Sequence, residues 1–324
     1  MLRAVVKDIP KSIDDLLSPE LAAQLARVDL ASQKIFTGKL KGERRSKKRG
    51  ESVEFADYRP YVVGDDLRFI DWNIYGRLDR LFLKLFLEEE DLSLHIVIDA
   101  SASSGCGEPS KFVFMQRVAA ALGYIGLVNY NRVTLTAIGG VSTGMTIGEA
   151  NSATDATTTD GVVSTRRNLR GRRRAHDLGE WLCGLEPTGG TNFADSAKRI
   201  ALSRRGKGVM VILSDFFFKE GYETGLRLLL GRGYDLFALQ TLSPQEIEPT
   251  LGGDLRLKDI EDGDRAEVTI SKPLLNQYKK NLAAYCDSLR QFCARRDVVH
   301  LLTPSDTPMD TLVLDILRRR GLLR

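Results

Sequence analysis

The sequence contains few of the residues that build disulfide scaffolds, zinc sites and membrane anchors. Its 324 residues include four cysteines and three histidines. No two cysteines form a CxxC pair, and none has a histidine at zinc-ligand spacing. A disulfide scaffold and a zinc site are therefore not expected, and a reduced compartment is favoured. The longest apolar run, residues 118–128, is about half as long as a membrane-spanning helix.

Signals for export and for common enzyme classes are also missing. Residues 1–15 contain no apolar stretch followed by a small-residue cleavage site, so we expect a cytoplasmic protein. The sequence has no GxxxxGK[ST] phosphate loop, no GxGxxG after a predicted strand and no HExxH. His95, His176 and His300 have no nucleophile at motif spacing. We therefore expect a protein that is not an enzyme.

The net charge of +4 is distributed unevenly along the chain. Residues 31–50 contain eight Lys or Arg and one acid, and residues 166–174 contain six Arg and no acid. Without these windows the chain keeps 33 basic and 42 acidic residues, a net charge of −9. Polyanion binding is therefore expected only at segments 34–50 and 166–174. Neither segment alternates basic with aromatic residues, so nucleic acid is not the expected partner.

Apolar segments from residue 92 onward predict alternating strands and helices, which favours a mainly parallel, doubly wound sheet with helices on both faces. No hairpin signal interrupts this alternation. The predicted strands are 92–99, 132–140, 208–215, 234–242 and 297–303, and the predicted helices are 111–129, 177–185, 193–203, 222–231, 278–292 and one that ends at Gly321.

The composition divides the chain into three parts. Residues 1–50 predict a helix that begins after Ser18 and a basic linker, and residues 51–91 predict a small β-containing subdomain. Residues 92–324 form the predicted α/β domain. Within it, residues 141–176 are rich in Ser, Thr, Gly and then Arg, which predicts a mobile basic insertion.

Oxygen-bearing side chains follow three of the predicted elements. Asp99, Ser101 and Ser103 form a DxSxS run after the first strand of the domain, Thr191 lies in the segment GGTNF, and Asp215 ends the strand VMVILSD. Ligand sites of open α/β sheets lie outside the carboxyl ends of the strands. Two carboxylates and three hydroxyls are hard oxygen donors, which suit Mg²⁺ or Mn²⁺. The alternative is that these residues cap the helices that follow.

The combination of these five residues resembles the metal-ion-dependent adhesion site of von Willebrand factor A domains. That resemblance implies a three-layer, Rossmann-like α/β fold. It also implies that Ser101, Ser103 and Thr191 coordinate the metal, whereas Asp99 and Asp215 hold it mostly through water. An acidic residue of a partner protein would then complete the coordination.

A second resemblance covers residues from about 30 to the C-terminus. Its motifs are RPY, GDD, an arginine, IDW and the acidic run 88–90, and the sequence is similar here to the family called domain of unknown function 58. The residues that carry the signature are Arg59, Gly64, Asp65, Asp66, Arg68, Asp71 and Trp72. The position after Ser103 is often Met in that family and is Ser104 here.

The family resemblance implies a von Willebrand A-like domain with added N-terminal elements, found beside AAA+ ATPases of the MoxR class. It implies an adaptor or co-chaperone of such an ATPase, which acts in protein maturation or in metal insertion into a client protein. From the residues alone, the charged signature is interpreted as a salt-bridge network that braces the subdomain. The alternative function is a polyanion-binding regulator that uses segments 34–50 and 166–174.

Overall fold

The computed structural model describes residues 9–31, 54–63, 65–87, 92–139, 164–203, 208–261 and 265–324. The chain forms two compact units, one of residues 1–41 and 92–324 and a smaller one of residues 42–91. The helices within residues 9–31 thus belong to the larger unit. The predicted division at residues 50 and 91 stays a prediction. The predicted segments 34–50 and 141–163 lie outside the described residues.

The described residues form strands and helices that alternate along most, but not all, of the chain. The strands are β1 (Glu54–Pro60), β2 (Phe82–Leu87), β3 (Ser93–Asp99), β4 (Arg132–Ile138), β5 (Ser164–Leu169), β6 (Gly208–Ser214), β7 (Tyr234–Leu242), β8 (Gly253–Lys258), β9 (Arg265–Ile270) and β10 (Val299–Pro304). The helices are α1 (Ile13–Leu16), α2 (Pro19–Leu25), α3 (Trp72–Leu78), α4 (Lys111–Val128), α5 (Ala175–Cys183), α6 (Phe193–Ser203), α7 (Glu223–Leu230), α8 (Pro244–Ile247), α9 (Lys272–Ala294) and α10 (Leu317–Arg319).

The larger unit is built on a six-stranded sheet of order β10-β7-β6-β3-β4-β5. Every pairing in it is parallel except the pairing of β4 with β5, which is antiparallel. The predicted α/β class, with a mainly parallel sheet between helical layers, is confirmed. Strand β3 lies inside the sheet, between β6 and β4, so its carboxyl end is flanked by the ends of both neighbours.

Two apolar cores lie on opposite faces of the sheet because side chains alternate along each strand. Leu94, Ile96 and Ile98 of β3 belong to the core that contains α1, α2, α4 and α5. Val97, between them, belongs to the core that contains α6, α7 and α9. Burial on both faces explains why the central residues of β6 and β7, 209–213 and 236–239, are a continuous apolar run rather than an alternating pattern.

Helix α4 is apolar on all sides because neighbours surround it. It is long and apolar enough to cross a membrane, but 89% of it is buried inside the fold. Helices α1, α2 and α5 pack against it on one side and the sheet on the other. The same burial is found in the core helices of soluble proteins, and such a helix needs no amphipathic stripe.

The structure differs from the sequence prediction at the arginine-rich segment. We expected residues 164–176 to continue a loop, whereas Ser164–Leu169 pairs with β4 as the edge strand β5 and Arg172–Arg174 forms a 3₁₀ turn. Leu169 is fully buried and anchors the strand. Arginines are tolerated beside it because an edge strand exposes part of its surface to water, and charge there discourages pairing with other chains.

A second difference is the antiparallel hairpin of β8 and β9. We expected no hairpin in the α/β domain. The sequence contains Asp262-Gly263 between the two strands, and this dipeptide is typical of hairpin turns. The sequence therefore carries a hairpin signal that the prediction did not use.

The smaller unit is organised by ion pairs between its signature residues. The guanidinium of Arg59 lies 2.8 Å from Asp65, and that of Arg68 lies 2.6 Å from Asp66. Asp71 is paired with Lys84 at 3.0 Å.

Asp71 also shapes the local backbone of this unit. Its carboxylate accepts backbone hydrogen bonds from the first turn of α3, as a helix N-cap does. We expected some of these charges to be partly buried and paired, and Asp71 is 5% exposed and paired, whereas Trp72 is 64% exposed. Gly64 lies outside the described residues.

Candidate metal centre

Asp99, the last residue of β3, is the centre of a hydrogen-bonded cluster at the carboxyl end of the sheet. Its Oδ1 accepts hydrogen bonds from the backbone amide of Ser101 at 3.0 Å and from the hydroxyl of Thr191 at 3.3 Å. Its Oδ2 accepts a hydrogen bond from the hydroxyl of Ser214 at 2.7 Å. The hydroxyl oxygens of Ser101 and Ser103 lie 3.0 Å apart. The structure thus brings together four of the five predicted ligands.

Backbone hydrogen bonds hold the loop that carries Thr191 against the loop that follows β3. The amide of Thr188 donates to the carbonyl of Ala100 at 2.9 Å, and the amide of Ala102 donates to the carbonyl of Gly189 at 2.8 Å. These two bonds fix two segments that are about 90 residues apart in sequence. They are the reason that the hydroxyl of Thr191 reaches Asp99.

Gly139, directly after β4, leaves room for the DxSxS loop. A Cβ atom at this position would lie 2.8 Å from both the carbonyl carbon of Ala100 and the amide nitrogen of Ser101. The φ angle of Gly139 is +120°, in a region that side-chain-bearing residues rarely adopt. A glycine is therefore required here for the loop to pass so close to the end of β4.

Asp215 lies at the same edge, but other partners hold its carboxylate. Its Oδ2 accepts a hydrogen bond from Nζ of Lys111 at 2.8 Å, and its Oδ1 accepts one from the amide of Phe217 at 3.0 Å. Lys111 also donates to Oε1 of Glu246 at 2.6 Å. Among the described residues, Asp215 makes no hydrogen bond to the other predicted ligands and acts on Asp99 through its charge.

Sequence reasoning missed Lys111 and Glu246. Lys111 is the first residue of α4, only 1% exposed, and a lone cation at the start of an apolar helix was the available signal. Glu246 is fixed by a capping box, in which its Oε2 accepts hydrogen bonds from the amide and hydroxyl of Ser243. That cap leaves Oε1 directed at Lys111. The ammonium group is therefore held between two carboxylates.

Sequence reasoning also missed Ser214. The register pairs Ile98 of β3 with Leu213 of β6, so the next position places Asp99 opposite Ser214. The available signal was a hydroxyl at the end of a strand, two positions after the buried Ile212 and therefore on the same face of the sheet. Its role is to donate a hydrogen bond to Asp99 while it accepts one from the amide of Phe216 at 2.9 Å.

Burial decides the electrostatics of this edge. Burial, followed by the charge of Asp215, raises the pKa of Asp99 from 3.8 to about 6, although three hydrogen bonds oppose the shift. Burial by itself would lower the pKa of Lys111, but Asp215 and Glu246 more than offset it, so that pKa stands above its ordinary value. Asp215 and Glu246 thus share one ammonium group, whereas the hydrogen bonds given above for Asp99 come from uncharged groups.

The donor set at Asp99 fits a hard divalent cation. One buried carboxylate and three hydroxyls of Ser101, Ser103 and Thr191 are joined within hydrogen-bonding distance, and oxygen ligands of this type suit Mg²⁺ or Mn²⁺. In the part of the chain that the structure describes, no three His, Cys, Asp or Glu side chains are grouped to hold a metal. A cation here would therefore depend on hydroxyl ligands.

Replacing Ser214 with alanine is expected to lower the free energy of unfolding by about 1–3 kcal/mol, because it leaves Asp99 with one hydrogen bond fewer in a buried site. The pKa of Asp99 should rise further, since the hydroxyl of Ser214 lowers it. Urea denaturation at neutral pH measures the first effect. The matched control is Ser203→Ala, at an exposed position at the end of α6, which should change little. Equal stability of the two variants would contradict the assigned role of Ser214.

The fold and this edge define an α/β protein with a Rossmann-like sheet and an oxygen-lined cluster at its carboxyl edge. Residues 57–288 match the family described as "Protein of unknown function DUF58", and the chain belongs to this family. The match covers both the signature of the smaller unit and the cluster around Asp99. It leaves α1, α2 and β10 outside.

Similar proteins extend over nearly the whole chain. Uncharacterized proteins of Mycobacterium tuberculosis and Mycobacterium bovis are each 28% identical over 318 residues, which cover 95% of this chain and 93% of theirs. Among solved structures, a conserved hypothetical protein BatB from Bacteroides thetaiotaomicron is 12% identical, with a TM-score of 0.36. That match covers 63% of this chain and 98% of BatB.

Proposed function

We propose that this protein is a Mg²⁺-dependent protein-interaction module and not an enzyme. The observation that carries the proposal is the cluster of Asp99, Ser101, Ser103 and Thr191 at the carboxyl edge of the sheet. Loops at this edge are where open α/β folds bind their ligands. The proposal agrees with the resemblance of these residues to a metal-ion-dependent adhesion site.

The chemistry of the donor set explains why a metal at this edge would recruit a partner. Among the five predicted ligands, Asp215 is already paired with Lys111, so Asp99 is the ligand whose charge a cation would neutralise. A divalent cation held by one carboxylate and three neutral hydroxyls keeps a net positive charge. It would therefore attract an external Asp or Glu, which are the preferred anionic oxygen ligands of Mg²⁺ in proteins.

The ion pairs at the edge also support a role other than catalysis. Asp215 and Glu246 are both paired with Lys111 at 2.8 and 2.6 Å. A carboxylate oxygen that already accepts a hydrogen bond from an ammonium group is not free to take a proton from a water molecule. Metal-assisted hydrolysis would need a base beside the metal. Among the described residues at this edge, neither paired carboxylate meets that need.

The family resemblance suggests the partner. We propose that the module binds an AAA+ ATPase of the MoxR class in the cytoplasm and presents a client protein to it for maturation or metal insertion. The acidic residue that completes the metal site would belong to the ATPase or to the client.

Metal binding is tested first, by calorimetric titration of the EDTA-treated protein with Mg²⁺ and Mn²⁺. Asp99→Asn and Thr191→Ala are expected to weaken binding at least tenfold, because the first removes the negative charge of the site and the second removes a hydroxyl oxygen. Thr224→Ala, at an exposed position of α7, is the matched control and should bind as the wild type does. If the site variants and the control bind Mg²⁺ alike, the metal site is elsewhere or absent.

Partner binding is tested by retention of a purified MoxR-type ATPase from the same genome on the immobilised protein. Retention should require Mg²⁺, disappear with EDTA, and be lost in Asp99→Asn. Retention that survives both EDTA and the substitution would contradict a metal-bridged interface.

The second candidate function is polyanion binding, which one observation favours. The described part of the arginine-rich segment presents exposed arginines on and after β5, namely Arg167, Arg170, Arg172, Arg173 and Arg174. Of these, Arg174 is paired with Asp177 at 2.8 Å. Polyanion binding would weaken steeply as the salt concentration rises and would not require Mg²⁺. A salt titration with and without EDTA therefore separates the two functions.

A further inference from the structure

A cavity of about 170 Å³, lined by polar side chains and by Ile200, lies on the sheet face that α6 covers in part. Its lining residues come from β3, β4, β5 and α6, and none of them belongs to the cluster around Asp99. His95, which lines the cavity, precedes Asp99 by four positions on β3, which corresponds to about 13 Å along a strand. The cavity is therefore a separate site from the candidate metal centre.

The floor of the cavity is a row of polar side chains across three strands. Nε2 of His95 lies 2.8 Å from Oγ1 of Thr136, and that oxygen lies 3.3 Å from Oγ1 of Thr165. His95 and Thr136 are each only 1% exposed. Two positions further along the same strands, Val97 and Ile138 belong to the apolar core. The polar row thus replaces apolar packing on a face where polar burial is costly.

Two arginines stand at the mouth of the cavity. Arg167 is on β5 and Arg199 is on α6, and both are exposed. Neither takes part in an ion pair within the described ranges. Two positive charges without acidic partners therefore flank an opening whose floor is made of hydroxyl groups and an imidazole.

The volume of the cavity and the charges at its opening together limit which ligands it can bind. The volume of about 170 Å³ is well below the roughly 300–1,000 Å³ of sites for cofactors and drug-sized ligands. A phosphate group carries about −1.5 to −2 charges at neutral pH, which two guanidinium groups can match. A carboxylate, with one charge and two oxygens, would leave one arginine unmatched.

We propose that the cavity between β3, β4, β5 and α6 binds a phosphate group through Arg167, Arg199 and the threonine hydroxyls of its floor. The group is either inorganic phosphate or the phosphate of a phosphorylated side chain. Arginine recognises phosphate with paired hydrogen bonds, and the buried hydroxyl of Thr136 supplies a fixed partner at the base of the cavity. This function is additional to the proposed metal-dependent interaction and does not depend on it.

The test is calorimetric titration of the EDTA-treated protein with sodium phosphate at constant ionic strength. The wild-type protein is expected to show saturable binding at millimolar concentrations or below. Arg167→Gln and Arg199→Gln should each weaken binding about ten- to one-hundredfold, the range for loss of a charged hydrogen-bonding partner. Arg232→Gln, at an exposed arginine after α7, is the matched control and should bind as the wild type does.

Additional measurements distinguish inorganic phosphate from a phosphorylated side chain and check that the variants are folded. Titration with phosphoserine shows whether a phosphate ester binds more tightly than inorganic phosphate. Tighter binding of either ligand supports the site, and the tighter ligand indicates whether the natural phosphate group is free or attached to a side chain. Thr136→Val keeps the side-chain volume and should also weaken binding severalfold, with circular dichroism as the check on folding. The proposal is overturned by absence of saturable phosphate binding, by equal losses in Arg232→Gln, or by acetate that binds as tightly as phosphate.

Discussion

Replacing Lys111 with methionine is expected to lower the free energy of unfolding by about 3–5 kcal/mol, the usual cost of removing one partner from a buried ion pair. The ammonium group is 1% exposed and lies within 2.8 Å of carboxylate oxygens of both Asp215 and Glu246. Methionine fills a similar volume, so the loss would come from two acidic groups left without a cation rather than from a cavity. Urea denaturation at neutral pH in the presence of EDTA measures the effect.

The matched control for this substitution is Arg117→Met, which removes an exposed cation from the same helix. Its effect should stay within about 0.5 kcal/mol, as is usual for surface positions. A loss below about 1 kcal/mol in Lys111→Met would show that the ion pair is not the element that holds α4 to the edge of the sheet.

Divalent cations should affect the Lys111→Met variant more than the wild type. Without the ammonium, the carboxylate of Asp215 is free to join Asp99 as an oxygen ligand, and a cation would relieve the repulsion between them. Mg²⁺ should therefore raise the stability of this variant by a larger amount, through preferential binding to the folded state. Denaturation curves with and without Mg²⁺ measure the difference. An equal response of the two proteins would mean that Lys111 and the metal do not act on the same carboxylate.

Replacing Asp99 with asparagine is expected to stabilise the metal-free protein at neutral pH and to abolish metal binding. Burial and the charge of Asp215 raise the pKa of Asp99 from 3.8 to about 6, so the charged form is disfavoured in the folded state. A shift of this size corresponds to about 2–3 kcal/mol. Asparagine is uncharged, and the hydroxyl of Ser214 can turn to accept a hydrogen bond from its amide.

The pH dependence of this effect has a defined sign. Between about pH 4 and pH 6, the folded state binds a proton at Asp99 that the unfolded state does not. The contribution of Asp99 to stability therefore improves as the pH falls through this window. The advantage of Asp99→Asn over the wild type should accordingly be largest at pH 7 and vanish near pH 4. An advantage that is independent of pH, or a variant that is less stable at pH 7, would contradict this account.

Addition of Mg²⁺ at pH 7 should reverse the ranking of the two proteins. The wild type gains stability because it binds the cation in its folded state, whereas Asp99→Asn has lost the charged ligand. Loss of metal binding in a variant that folds better than the wild type is the behaviour of a functional carboxylate rather than of a helix cap.

The fold class could be predicted from the sequence because its signals are local. Apolar runs such as 208–214 and 234–242 are strands buried on both faces, and the intervening helices begin and end close to their predicted positions. The DxSxS loop was equally predictable, since three residues of one tight loop must lie near one another. Strand β5 was not predictable, because its arginines and polar residues do not form the apolar pattern of a strand, whereas the hairpin of β8 and β9 was missed although Asp262-Gly263 lies between its strands.

The composition of the candidate metal centre was only partly determined by sequence. Residue type and strand ends indicated Asp99, Thr191 and Asp215, but the order of the strands and the register of β3 against β6 decided which groups meet. That register places Ser214 beside Asp99, and the packing of α4 places Lys111 beside Asp215. The distances along the chain are 115 and 104 residues. Local patterns specify direction and burial, whereas contacts over such separations depend on how whole elements pack, and only the tertiary structure decided them.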